Sequence, residues 1–283
     1  MKRIPIKMLV LDLDGTLLND NKIITERNKQ ALAALKNQGV IIVFASGRTN
    51  FMMSFFQEPY VVCDYHLSFN GSMAEDLSEN KVLYQVTIDQ TVTKEIWQFL
   101  ADYANAYTAY SRKMMYFYDQ TQKMIRNKLS EYLDLAASEQ VYLAPAFTEL
   151  NYGEIASESD LRILKFVAYE DDPDRIARIK HYLAQYPQIK TEATGYGITG
   201  IFAGHVSKGT AVGKLRDLLN FSKEDVCVIG DYDNDLSMFN EAGIKVAMAN
   251  AAQGLKAHAD YICPDNNHDG VACFIEDYLI CQA

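Results

Sequence analysis

Apolar residues fall along this chain in short unbroken runs separated by amphipathic stretches. Met8-Leu9-Val10-Leu11 is one such run, and four apolar residues in a row describe a strand buried on both faces, as in a parallel sheet. Thr25 is placed to cap a helix that continues to Gln38, with Ala31, Leu32 and Leu35 along one side and Gly39 as its stop. Val40 to Ala45 is a second buried strand, so this segment reads as a β-α-β unit with parallel strands and a right-handed crossover. Tyr60 to Cys63 and His66 to Phe69 form a third strand region leading to an Asn70-Gly71 turn. The texture then changes. Val82 to Ile88, Ala109 to Tyr118 and Ile163 to Tyr169 carry strand patterns, and Gln90 to Tyr103, Gln122 to Ala136 and Pro173 to Tyr186 carry helical ones. The first texture resumes near residue 200, with Val206-Ser207-Lys208-Gly209 opening a helix through Leu219, strands at Val226 to Ile229 and Ile244 to Met248, and a helix after Asp269-Gly270. The expectation is an α/β core made of residues 1–81 and 201–283, interrupted by an α+β domain at 82–200.

Composition narrows the class. A length of 283 residues suits two domains, and 49% apolar with 23% charged residues is that of an ordinary globular protein. A net charge of −10 argues against a nucleic-acid backbone or an anionic membrane as partner. No apolar run reaches the roughly 18 residues of a membrane span, and Met1-Lys2-Arg3 leads into a core strand instead of a signal peptide, so the cytoplasm is the expected location. Five cysteines without a CxxC pair fit buried thiols in a reducing compartment. Trp97 and the tyrosines of the inserted block read as its core and surface, not as a cofactor box.

The chemistry gathers at strand ends. The first strand delivers Asp12 and Asp14, followed by Gly15, into a turn. Two like charges one residue apart need a compensating cation or proton, and open parallel sheets bind ligands beyond the carboxyl ends of their strands. A hairpin turn at Asp14-Gly15 is the alternative, but Asn19 to Lys22 is polar and a helix follows. Ser46-Gly47-Arg48 emerges at the same sheet edge, where a hydroxyl and neighbouring N–H groups can approach a phosphoryl oxygen. Val226 to Ile229 ends in Gly230-Asp231-Tyr232-Asp233-Asn234-Asp235, a second acidic cluster, and Lys208 opens a helix. Together these residues suit phosphoryl transfer. Carboxylates and a substrate phosphate satisfy Mg²⁺, a lysine offsets the negative charge, and a carboxylate can act as nucleophile to form an aspartyl-phosphate.

Three other motifs fail on context. Gly195 to Gly200 matches GxGxxG but precedes the strand-like Ile201-Phe202-Ala203. Asp231, Asp233 and Asp235 open like a calcium-binding EF-hand loop, yet Leu236 and Ala242 stand where glycine and glutamate belong. Gly209 to Lys214 is one residue short of a P-loop and is followed by Leu215. Histidines 66, 181, 205, 258 and 268 show no paired metal spacing.

Asp12-Leu13-Asp14-Gly15-Thr16-Leu17, Ser46-Gly47-Arg48, Lys208-Gly209 and Gly230-Asp231-x-x-Asn234-Asp235 resemble, in order, the four motifs of the haloacid dehalogenase (HAD) superfamily. More narrowly the chain resembles the Cof-like sugar-phosphate phosphatases with a subtype IIB α+β cap. That resemblance implies a Rossmann-like core with a parallel sheet and an inserted cap, and a Mg²⁺-dependent phosphatase acting on small phosphorylated metabolites. It implies Asp12 as nucleophile and Asp14 as general acid and base. Asp12, the backbone carbonyl of Asp14 and Asp231 would hold Mg²⁺, with Asp235 as nearby acidic support. Ser46, Lys208 and Asn234, with backbone groups at Leu13 and Gly47, would hold the phosphoryl oxygens, while Arg48 and Thr16 would serve structure. Two departures stand out: Gly200 to His205 lacks the acidic residue and proline that relatives commonly carry, and Tyr232 replaces a small residue. The same scaffold also accommodates a phosphomutase or phosphotransferase, or a non-catalytic phosphometabolite-binding protein.

Overall fold

The computed structural model describes residues 4–54, 56, 63–120, 146–149, 161–193 and 198–280. The helix expected over Gln122 to Ala136 and the stretch Tyr60 to Val62 lie outside them. The chain divides into two compact units, Met1–Tyr84 with Ser207–Ala283, and Gln85–Val206.

The first unit is built on a sheet with the order β14-β13-β12-β1-β2-β3-β4-β5. Its strands are β1 (Met8–Leu11), β2 (Ile41–Ala45), β3 (Tyr65–Ser68), β4 (Met73–Asp76), β5 (Lys81–Gln85), β12 (Val226–Gly230), β13 (Ile244–Met248) and β14 (Tyr261–Cys263). From β14 to β3 the neighbours pair in parallel, and only β4 turns back on β3 in the reverse sense. β1 is apolar and buried throughout because both faces are covered, as a central parallel strand requires. It is flanked by β2, which follows after one helix, and by β12, which follows more than 200 residues later, with Leu11 in register with both Phe44 and Ile229. This is the topological switch point at which doubly wound sheets open a crevice.

Helix α1 (Glu26–Asn37) joins β1 to β2, and the Thr25 hydroxyl accepts the Asn28 N–H at its start. Ala31, Leu32 and Leu35 are buried, and Gly39 takes a left-handed φ of 83° at the helix exit. A short helix α2 (Asn50–Ser54) follows β2. After the insertion the chain resumes with α5 (Lys208–Leu218), capped by Ser207, whose Oγ accepts the Thr210 N–H while Thr210 Oγ1 accepts the Ser207 N–H. The short helices α6 (Leu236–Phe239), α7 (Gln253–Lys256) and α8 (Gly270–Phe274) fill the remaining connections.

The second unit carries a sheet of order β10-β11-β9-β6-β7-β8 with helices α3 (Gln90–Tyr103) and α4 (Pro173–Leu183). Its strands are β6 (Ala106–Tyr110), β7 (Met114–Asp119), β8 (Ala146–Glu149), β9 (Lys165–Tyr169), β10 (Ile189–Ala193) and β11 (Ile198–Ala203). The single strand pattern expected over Ala109 to Tyr118 is two antiparallel strands: Ser111 turns the chain, its N–H donating to the Met114 carbonyl and its Oγ accepting the Met114 N–H. Trp97 is core, 1% exposed, with its indole N–H on the Tyr107 hydroxyl and its ring edge-on to Phe166 and Tyr116. Among the described residues, no helix is long and apolar enough to cross a membrane.

Candidate active site

Asp12 leaves β1 with its N–H on the Ile229 carbonyl of β12, so the carboxyl ends of the two strands are tied together where their acids begin. Lys208, the first residue of α5, reaches between them. Its Nζ lies 2.6 Å from Asp12 Oδ1 and 2.6 Å from Asp235 Oδ1, and all three side chains are buried. The helix start is held close because Gly209 donates its N–H to Ser237 Oγ, and a Cβ at Gly209 would lie 2.1 Å from the Ser237 carbonyl oxygen. Asp235 uses its second oxygen to accept the N–H groups of Asp231 and Tyr232, which closes the acidic loop on itself.

Asp12, Asp231 and Asp235 each offer a carboxylate oxygen within 4.8 Å of the others. Three carboxylates against one ammonium leave a shortage of positive charge. Burial pushes the Asp12 carboxyl well above the usual range; Lys208 pulls it down, and Asp235 and Asp231 push it further up. Asp231 is pushed up to about 6 by burial and by the charge of Asp235, against the Thr16 hydroxyl and Lys208. Burial alone would lower Lys208, but Asp12 and Asp235 outweigh it and hold the ammonium charged.

The turn after β1 is fixed from both sides. Gly15 has φ +80°, and a Cβ there would lie 2.4 Å from Asp231 Oδ2, so only glycine lets the turn approach that carboxylate. Thr16 donates its hydroxyl to Asp231 Oδ1 at 3.1 Å, and Asn250 Nδ2 donates to the Gly15 carbonyl at 2.8 Å. Asp14 points elsewhere than the acidic cluster. Arg48 grips it with two bonds, Nε to Oδ2 and Nη2 to Oδ1, each 2.6 Å, and Lys22 Nζ lies 2.9 Å from Oδ1. Partial burial would raise the Asp14 carboxyl, but these two cations hold it well below the usual carboxylate range.

Ser46 is buried at the end of β2, where its Oγ accepts the Arg48 N–H, and Gly47 follows half-buried. Leu13 is buried, and its carbonyl accepts the N–H groups of Thr16 and Leu18. Asn234 is half-buried and its carbonyl accepts the Ser237 hydroxyl. Tyr232 is 49% exposed, and its carbonyl accepts the Asp235 N–H. Two contacts escape the sequence reading. Arg48, expected to serve structure, is the main partner of Asp14, and Asn250, on the loop after β13, holds the Gly15 carbonyl. Neither has a local pattern that announces it; strand-end position is the one shared cue.

A parallel sheet with acids at its switch point, a lysine at a helix start and an inserted α+β unit make this an α/β protein with a buried, charged site at the carboxyl ends of its strands. A sequence profile of the haloacid dehalogenase-like hydrolases matches residues 9–275, and the chain belongs to that family. Among its relatives, the 5-amino-6-(5-phospho-D-ribitylamino)uracil phosphatase YwtE of Bacillus subtilis strain 168 is 27% identical over 96% of this chain and 98% of that protein. The pyridoxal phosphate phosphatase YbhA of Escherichia coli K12 is 26% identical over 97% of this chain and 99% of its own. In fold the chain matches a HAD subclass IIB sugar phosphatase with a TM-score of 0.76 at 20% identity, covering 94% of this chain and 96% of that one. The protein is thus a haloacid dehalogenase-like hydrolase whose relatives include named phosphatases.

Proposed function

We propose that this protein hydrolyses small phosphomonoesters, sugar phosphates or related metabolites, through an aspartyl-phosphate on Asp12, with Mg²⁺ as cofactor. The observation that carries the reading is the buried Asp12–Lys208–Asp235 cluster beside Asp231, with Asp14 one turn further along the chain. The relatives named for phosphorylated small molecules support the substrate class.

Asp12 Oδ attacks phosphorus while the ester oxygen leaves with a proton from Asp14, giving an acyl phosphate and an alcohol. Asp14, now ionised, takes a proton from the water that attacks the acyl phosphate, which frees Asp12 and inorganic phosphate. Arg48 and Lys22 favour the ionised form of Asp14, which is the form the second step needs; for the first step their grip must loosen. Lys208 neutralises Asp12 and, with Ser46, Asn234 and the N–H groups near Leu13 and Gly47, offers positive charge and donors to the phosphoryl oxygens.

The donor set fits a hard divalent cation, since it consists of carboxylate oxygens that a single ammonium leaves under-compensated. Asp12, Asp231 and the Asp14 backbone carbonyl would hold it, supported by Asp235. When bound, the ion supplies positive charge that draws the phosphoryl group to an otherwise anionic pocket. Phosphate release from a panel of phosphomonoesters, with Mg²⁺ and with EDTA, tests the reading on wild type and Asp12→Asn. Release that needs Mg²⁺ and is lost in Asp12→Asn is expected; Mg²⁺-independent release, or an active Asp12→Asn, would refute it.

A further inference from the structure

We infer that Lys22, backed by Arg48, selects phosphomonoesters whose leaving group carries its own negative charge close to the ester, such as a carboxylate. The inference rests on the phosphatase reading above, because it takes Asp14 as the group that protonates the leaving oxygen and so marks where the leaving group begins.

Two cations converge on that one carboxylate. The Arg48 guanidinium and the Lys22 ammonium both lie within 2.9 Å of Asp14 oxygens, and with Asp20, whose charge also acts on Lys22, the charges around Asp14 balance. Asp12, Asp231 and Asp235 against Lys208 leave two negative charges in excess on the phosphoryl side. The site is therefore polarised, and its leaving-group side is the less anionic one on a protein of net charge −10. An anionic leaving group placed beside Lys22 gains charge-assisted hydrogen bonds, which are stronger than those a neutral alcohol makes there.

The two cations differ in what they can still do. The Arg48 side chain is 5% exposed and its guanidinium stacks over the Phe56 ring at 5.2 Å, so it is fixed. The Lys22 side chain is 50% exposed, and its ammonium has three donors of which Asp14 takes one. The other acid close by, Asp20, turns its oxygens to Asn266 Nδ2 and Asn267 Nδ2 at 3.1 and 3.0 Å. Lys22 thus keeps donors for an anion entering beside Asp14.

Lys22 sits at φ 61°, in the left-handed region, inside a turn closed by its N–H on the Asn19 carbonyl and by the Ile23 N–H on Asn19 Oδ1. Glycine or asparagine fills such a position with less strain.

Two matched substrate pairs test this: 2-phosphoglycolate against 2-hydroxyethyl phosphate, and 3-phosphoglycerate against glycerol 3-phosphate. Each pair exchanges a carboxylate for a hydroxymethyl group. Wild type is expected to favour the carboxylate member of each pair by about fivefold or more in kcat/KM, a preference that shrinks with added salt. Lys22→Met should bring the ratio close to one, and Lys22→Arg should restore most of it. A wild-type ratio near one, or a ratio unchanged in Lys22→Met, would overturn the inference, as would turnover of p-nitrophenyl phosphate with all four compounds refused. No phosphate from any compound, p-nitrophenyl phosphate included, would overturn the phosphatase reading itself and the inference with it.

Discussion

Gly15 shows how much of the site depends on a single missing atom. Its left-handed φ and the 2.4 Å gap between a would-be Cβ and Asp231 Oδ2 mean that any side chain displaces a carboxylate of the acidic cluster. Gly15→Ala should therefore lower kcat/KM by about a hundredfold, the usual consequence of misplacing a catalytic group by an ångström. Its stability should fall by only about 1–3 kcal/mol. Steady-state phosphate release and thermal unfolding on the same preparation check both, and wild-type turnover would show that the turn has room the geometry denies. Asp12, Asp231 and Lys208 were legible in the sequence because each stands at the end of a patterned element. The Arg48–Asp14 and Asn250–Gly15 bonds were not, since they join residues 34 and 235 positions apart with no periodicity to link them.

Among elements, β3 carries a second testable consequence. It lies between β2 and β4, with His66 opposite Phe44 and Glu75, and the imidazole stacks on the Phe44 ring at 6.0 Å. Burial lowers the His66 pKa to about 3, so the folded protein keeps this ring neutral where an unfolded chain would protonate it near 6.5. The unfolded state then binds more protons below that value. This contribution to stability is intact above pH 6.5 and is lost as pH falls toward 3, by up to about 1.4 kcal/mol per pH unit. Denaturant unfolding of wild type and His66→Leu should show the variant losing less stability between pH 7 and pH 4; parallel losses would mean that the ring is protonated in the fold. The limits of pattern reading also appear at this scale. α3 runs from Gln90 to Tyr103 as its apolar spacing requires, because Asp89 caps it and Ala104 is already extended. The turn at 111–113 was hidden because Ser-Arg-Lys carries neither glycine nor proline to interrupt an aromatic run.

At the scale of the molecule, every residue of the acidic cluster and of the Asp14 pairings belongs to Met1–Tyr84 with Ser207–Ala283. The two ends of the inserted unit also leave this first unit at one place. The Tyr84 hydroxyl donates to the Gly71 carbonyl at 3.3 Å, and a Cβ on Gly71 would come within 2.4 Å of the Ser207 carbonyl oxygen. Replacing residues 85–206 with a short Gly/Ser linker should thus give a protein that folds and binds Mn²⁺ with a Kd within about tenfold of the parent by calorimetry. A folded product that has lost the cation would place ligands in the inserted unit.

The pairing of β1 with β12 has a consequence for how the enzyme comes into being. Until residue 226 has been synthesised, β1 has a partner on one side only, and Asp12 beyond its tip lacks the acidic cluster with Asp231. Contacts this distant in sequence form late, since the entropy of closing so long a loop must be overcome first. A chain still on the ribosome therefore carries Asp12 without its partners until β12 has been made, with an apolar strand edge open to stray pairing. The acidic cluster and protection from misassembly arrive together, when β12 closes the sheet.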